Sequence, residues 1–319
     1  MKPTINRKKI GLYLLLSYGI SWLTATILYL SGMGLDGIAS MAVVAVFYMG
    51  GPAVATFIIQ KIIYKERFKE CGWSFDKKAA KWLFITPLLF LAFITLAFMI
   101  VALLGNTQLV SEFGQINLSK NSFLEQLFSL MPGNADNAKL PNLPDIPPIL
   151  LLIMMIFGGM LTGVTANLPF MFGEEFGWRG LLLKETRGLG FTHSSLFIGV
   201  VWGLWHLPLI LMGHNYPHYP YWGIAMMCLF TVAISPLFSY VRLKSKTILG
   251  ACMLHGMINA NALLFLLFIV GGNELFASLV GVTGVLAAAI VSASIYIFDK
   301  PFVRNFRVKG NINPLMSCL

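Results

Sequence analysis

Apolar residues in this chain fall in long continuous runs, and the polar residues gather between them. Eight such runs cover roughly residues 10–31, 38–63, 80–104, 148–172, 194–213, 220–240, 247–270 and 275–297. Each reaches about the 20 residues that a helix needs to cross the hydrocarbon of a bilayer. Hydrocarbon offers no partner to a backbone N–H or C=O, so a spanning segment must be a helix or part of a closed barrel. Continuous apolarity, without the period of two of a barrel strand, selects helices. The expected fold is all-α: a polytopic membrane protein with about eight transmembrane helices, forming a single domain over 1–319.

Composition agrees. The chain is 57% hydrophobic and 11% charged, too few charges to cover the surface of a soluble protein of 319 residues. Its net charge of +10 would raise a nucleic-acid partner in a soluble protein. Here the placement of the charges decides otherwise. With the N-terminus in the cytoplasm, 21 Lys and Arg fall on the cytoplasmic side and two, Lys120 and Lys139, on the other. Such a bias is the positive-inside signal. It places both termini in the cytoplasm, most simply at the cell membrane, and calls for the lipid bilayer as partner and no nucleic acid. Lys2, Arg7, Lys8 and Lys9 precede the first run as in a signal peptide, but no small-residue cleavage site follows, so the run is read as a retained span.

One long external loop, 105–147, stands out. A short interfacial helix is expected around Ser119 to Leu130, and irregular chain from Pro132 through Pro141, Pro144, Pro147 and Pro148. Gly159/Gly163 and Gly199/Gly203 are small pairs four apart that let helices approach closely. Cys71, Cys228, Cys252 and Cys318 show no metal or disulfide spacing, and Cys318 sits too near the end for a prenylation box.

Ionisable groups inside spans are costly and mark function. Glu174, Glu175 and Arg179 close the fourth run, His206 lies in the fifth, and His255 and Asn259 lie in the seventh. Glu175 and Arg179 are four apart and can pair on one helix face, whereas Glu174 points about 100° away. His255 and Asn259 share a face, as do Trp202 and His206. Polar faces on three apolar helices should converge. By position along their helices the site lies within the membrane in its cytoplasmic half, facing the cytoplasm, provided the helix carrying Glu174 starts later than the fourth run suggests. Trp178, Trp202 and Trp205 are read as packing or interface anchors.

A desolvated carboxylate with an imidazole can deprotonate water and return the proton to a leaving amine. A second imidazole and an amide can stabilise an oxyanion. That set suffices to hydrolyse an amide bond without a covalent intermediate. Glu174, His206 and His255 would also serve as a His₂Glu zinc set, so a cofactor is either absent or a divalent metal. There is no HExxH; His214 and His218 have its outer spacing but lack the Glu and read as loop.

These residues resemble the CPBP family, which includes CAAX prenyl endopeptidases and bacterial proteins linked to bacteriocin immunity. The family pattern EExxxR is met at Glu174, Glu175 and Arg179, and HxxxN at His255 and Asn259. FxxxH is met at His206 with Trp202 in place of Phe. The motif-bearing core is 148–270. The resemblance implies an intramembrane endopeptidase acting on a peptide or membrane protein. It implies that Glu174 and His206 activate water, that His255 and Asn259 form the oxyanion site, and that Glu175 and Arg179 support them. Two alternatives stay open: a non-enzymatic binding protein of the immunity type on the same fold, and a transporter with a protonatable Glu. No span carries an Asp for an aspartyl dyad, and other membrane-protease classes such as the rhomboids fit the motifs worse.

Overall fold

A computed structural model describes residues 5–77, 79–130 and 146–308. The fold is all-α. In chain order the helices are α1 Arg7–Leu30, α2 Ile38–Ile63, α3 Lys81–Asn106, α4 Lys120–Ser129, α5 Pro148–Val164, α6 Leu168–Leu189, α7 Phe191–Trp205, α8 Leu207–Leu211, α9 Pro220–Ser245, α10 Ile248–Phe268, α11 Glu274–Phe298 and α12 Lys300–Val308. The chain is an integral multi-pass membrane protein.

Eight uninterrupted spans were expected, and two of them are broken. Among the described residues six helices are long and apolar enough to cross, seven if α5 and α6 count as one span bent by 60°. Pro169, in the first turn of α6, has no N–H to offer the Thr165 carbonyl, which accepts from Leu168 N (3.1 Å) instead as the chain turns. The fifth run divides at His206, two residues before Pro208, into the 15-residue α7 and the short α8. Proline does not always break a helix, since Pro87 and Pro236 sit inside α3 and α9.

A broken helix end inside a membrane leaves carbonyls that must find donors. α1 and α2 supply them. Tyr18 donates to the Val201 carbonyl, while Trp22 Nε1 (3.1 Å) and the Tyr48 hydroxyl both donate to that of Trp205. Ordinary side-chain caps start α1, α4 and α10: Asn6 accepts from Lys9 N, Ser119 from Ser122 N and Thr247 from Leu249 N. The Ser119 cap starts α4, the interfacial helix expected there. Residues 131–145 of the external loop lie outside the described residues, and Pro147 and Pro148 instead begin α5.

The two faces of the bundle differ in charge. On one, Lys9 pairs with Glu66 (2.7 Å) and Glu185 (2.8 Å), Lys184 with Glu70 (2.7 Å), Lys246 with Asp76 (2.7 Å) and Lys244 with Asp299. These pairs bring the basic segments together. Burial pushes the Glu66 carboxyl up, but hydrogen bonds from Lys184 and Lys9 outweigh it and hold the group below the usual range. On the other face a two-residue antiparallel pairing joins Gln115–Ile116 to Ile269–Val270, and Glu274 accepts from His218 Nδ1 (2.9 Å) and the His218 and Tyr219 amides. His218 is therefore tied down in a loop.

Glycine sets the closest helix approach. A Cβ at Gly163 of α5 would lie 2.4 Å from Met257 N and 2.5 Å from Gly256 C of α10, both backbone atoms that cannot swing aside. Gly158, five residues earlier, has nothing within 4 Å. Gly163→Ala is expected to destabilise the protein by about 1–3 kcal/mol through overpacking. Gly158→Ala is expected to be neutral or to stabilise by up to about 1 kcal/mol through helix propensity. Thermal unfolding in detergent, followed by tryptophan fluorescence, distinguishes the two.

Candidate active site

Four helices bring the expected residues together. α6 begins at Leu168, after the bend, so Glu174 lies seven residues into a helix that runs on to Leu189. This later start is the condition that the sequence reading needed, and it moves Glu174 away from the basic face into the bundle. From Phe176 to Leu182 the helix widens to a π-helix, a form that often marks functional sites.

Glu175 and Arg179 form the expected pair. Arg179 Nη1 donates to both oxygens of Glu175, at 3.0 and 3.2 Å, and both side chains are fully buried. Arg179 Nη2 donates to Ser235 Oγ of α9 (3.0 Å), and its guanidinium lies 4.4 Å from the Trp202 and the Phe238 rings. In the apolar core around it Trp178 lies edge-on to Tyr13 and to Trp205.

Glu175 also does something that the spacing did not reveal. Its Oε1 lies 2.9 Å from His255 Nδ1. A carboxylate oxygen accepts, so Nδ1 carries the proton and donates, leaving Nε2 of His255 for the cavity. One carboxylate thus orients both a guanidinium and an imidazole. The His255 ring is held edge-on between Trp202 (5.2 Å) and Phe238 (5.6 Å).

Glu174 takes a partner that the sequence reading had assigned to packing. Trp202 Nε1 donates to Glu174 Oε2 at 2.9 Å. A buried indole N–H seeks an acceptor, and a Phe at this position would offer none. The Trp202 ring is 5.9 Å from that of His206 as well as 5.2 Å from that of His255, so it stands between both histidines and the carboxylate. Nothing in one sequence marked this bond beyond the substitution of Trp for Phe.

His206 sits at the break between α7 and α8. Its Nδ1 is 2.8 Å from the Trp202 carbonyl, which can only accept, so Nδ1–H donates and Nε2 is left as an acceptor. Asn259, one turn beyond His255, shares its face; its amide is 3.6 Å from Met171 Sδ. Glu174, His206, His255 and Asn259 all line one cavity of about 830 Å³, with Trp202 in its wall. Glu175 and Arg179 are behind the wall.

The residues do not form a metal centre. Among the described residues no three His, Cys, Asp or Glu side chains come close enough together to hold a metal ion, Glu174, His206 and His255 included.

Residues 144–261 match the family model of type II CAAX prenyl endopeptidase Rce1-like proteins. A CAAX prenyl protease 2 from Methanococcus maripaludis is 27% identical over 58% of this chain and 73% of its own length. Both matches support an intramembrane protease similar to the CPBP family. The matched segment carries the site: it runs from just before α5 to two residues past Asn259 and so holds both helix breaks and all six polar site residues. The helices α1 and α2, which cap the broken end of α7, precede it.

The buried pair beneath the cavity should behave as a unit in this protein. Arg179→Met leaves Glu175 as an uncompensated buried charge, and Glu175→Gln leaves Arg179 so; each is expected to cost about 3–5 kcal/mol. The double variant is expected to lose clearly less than the sum, as coupled neighbours do. Thermal unfolding of the three variants in one detergent checks it; strict additivity would show that the two groups are not coupled.

Proposed function

We propose that the protein is an endopeptidase that hydrolyses peptide bonds of peptide or membrane-protein substrates inside the membrane, with water activated by Glu174 and His206. The observation that carries this reading is the single cavity onto which Glu174, His206, His255 and Asn259 all face.

In the proposed reaction a water molecule held between Glu174 and Nε2 of His206 gives up a proton as its oxygen bonds to the scissile carbonyl carbon. Proton transfer of this kind by a positioned group contributes about 10²–10⁴-fold. The carbonyl oxygen becomes an oxyanion. Nε2 of His255 and the amide of Asn259 donate to it. For this His255 must carry a proton on both nitrogens, and its Nδ1–H then faces the Glu175 carboxylate, a suitable neighbour for an imidazolium. The C–N bond breaks as the captured proton passes to the departing amine, leaving a carboxylic acid and an amine with the enzyme unchanged. The hydrogen bonds from Trp202 to Glu174 and from His206 to the Trp202 carbonyl hold the two water-activating groups in fixed orientations, which is where such catalysis gains most.

Membranes of cells making wild-type protein or Glu174→Gln, compared by proteomics, test the reading and identify the substrate together. Products of the wild type are expected to be missing in Glu174→Gln and in His206→Ala, with initial rates on the identified substrate lower by about 10²–10⁴. Unfolding midpoints of both variants within a few degrees of the wild type would show that the fold is kept. Cleavage that persists in both variants would reject the assignment.

A further inference from the structure

The cavity points away from the basic face of the bundle. On α2 its lining runs from Met49 back to Met41 and on to Leu35 in the loop before it. On α7 and α8 it runs from Trp202 onward to His214 and Asn215. On α10 it runs from His255 to Leu266. Each of these stretches leads from the level of Glu174 towards the face that holds the paired strands and the Glu274–His218 contact. No lining residue comes from 61–81, 183–190 or 242–247, the segments whose Lys and Arg meet Glu66, Glu70, Asp76 and Glu185. On the basic side the floor is closed by the buried Glu175–Arg179 pair and by the ion pairs of Lys9.

The charge bias of 21 to 2 puts those basic segments in the cytoplasm. We infer that the site is reached from the extracytoplasmic side, and that its substrates are apolar peptide segments presented at the outer leaflet. The cytoplasm-facing site expected from the depth of the histidines is thereby reversed: depth along a helix says how far a residue lies from one surface and nothing about which side is open. The chemistry of the wall agrees with such a substrate. Polar groups cluster at the deep end around Glu174, and beyond them the wall is mostly apolar, with His214, Asn215 and Ser278 at its outer rim. Met41, Phe170, Leu263 and Leu266 in that wall are 61, 36, 45 and 49% exposed, so the cavity also borders lipid, and a chain anchored in the outer leaflet can reach it sideways. A prenylated protein on the cytoplasmic surface would meet the closed floor instead.

This assignment of substrate takes the proposed endopeptidase as given, but the access route can be tested without any cleavage. Single cysteines are placed in the full chain with Cys71, Cys228, Cys252 and Cys318 changed to Ala, a parent first shown to resist labelling. Asn215→Cys marks the rim, Ala262→Cys the cavity wall and Lys77→Cys the basic face. Sealed right-side-out and inverted membrane vesicles are treated with a small charged, membrane-impermeant methanethiosulfonate. Asn215→Cys and Ala262→Cys are expected to react at least tenfold faster in right-side-out vesicles, and Lys77→Cys at least tenfold faster in inverted ones. Faster reaction of Ala262→Cys from the inverted side overturns the inference, and so does labelling of Lys77→Cys in right-side-out vesicles. Should Ala262→Cys not fold, Leu266→Cys takes its place with the same outcomes. Loss of proteolysis without change in labelling would count against the reaction and leave the access route standing.

Discussion

Glu175 is the group on which the rest of the site depends. A carboxylate with no exposure to solvent, inside a helical bundle, cannot stand alone, because an unpaired buried charge costs several kcal/mol. Its two oxygens are shared between Arg179 of its own helix and His255 of another. The first contact is local and follows from helix spacing; the second links segments 80 residues apart. Arg179 in turn reaches Ser235, so one buried charge ties α6, α9 and α10 together just behind the cavity. With Glu175 held this way, Glu174 is turned to the other side and finds Trp202 on α7.

The two broken spans belong to the same design. A straight α5–α6 span would carry Glu174 and Glu175 towards the membrane surface; the 60° bend before Leu168 lets α6 start inside the bundle. The break after Trp205 gives His206 a backbone position where its ring can reach back to the Trp202 carbonyl. The freed Trp205 carbonyl is tolerable there because Trp22 and Tyr48 both donate to it. Irregular backbone at membrane depth persists only where protein satisfies it or a cavity adjoins it, and both conditions hold at His206.

The family match bears on the segment that holds the motifs, residues 144–261, while α1 and α2 before it complete the structure around that segment. Trp202 shows how a departure from a family pattern can carry information. An aromatic ring is kept, but the indole N–H adds a donor where Phe has none, and the structure spends it on the carboxylate proposed as base.

The sequence by itself determined the all-helical membrane class, the six polar residues that the structure brings together and the separation of charge along the chain. Runs of apolar residues, spacings of four and counts of Lys and Arg are properties of one segment at a time, and they survive translation into structure. The division of labour between Glu174 and Glu175 was half legible: the i,i+4 rule found Arg179, but no local rule could find His255. The breaks were not legible, since Pro169 and Pro208 interrupt their helices while Pro87 and Pro236 do not. At Pro208, Trp22 and Tyr48 from other helices donate to the Trp205 carbonyl beside the break, which no local rule could foresee. The tertiary structure alone also decided which way the cavity runs, because that depends on how several helices splay at one end and close at the other. Packing among segments distant in sequence sets that shape, and no single stretch of chain encodes it.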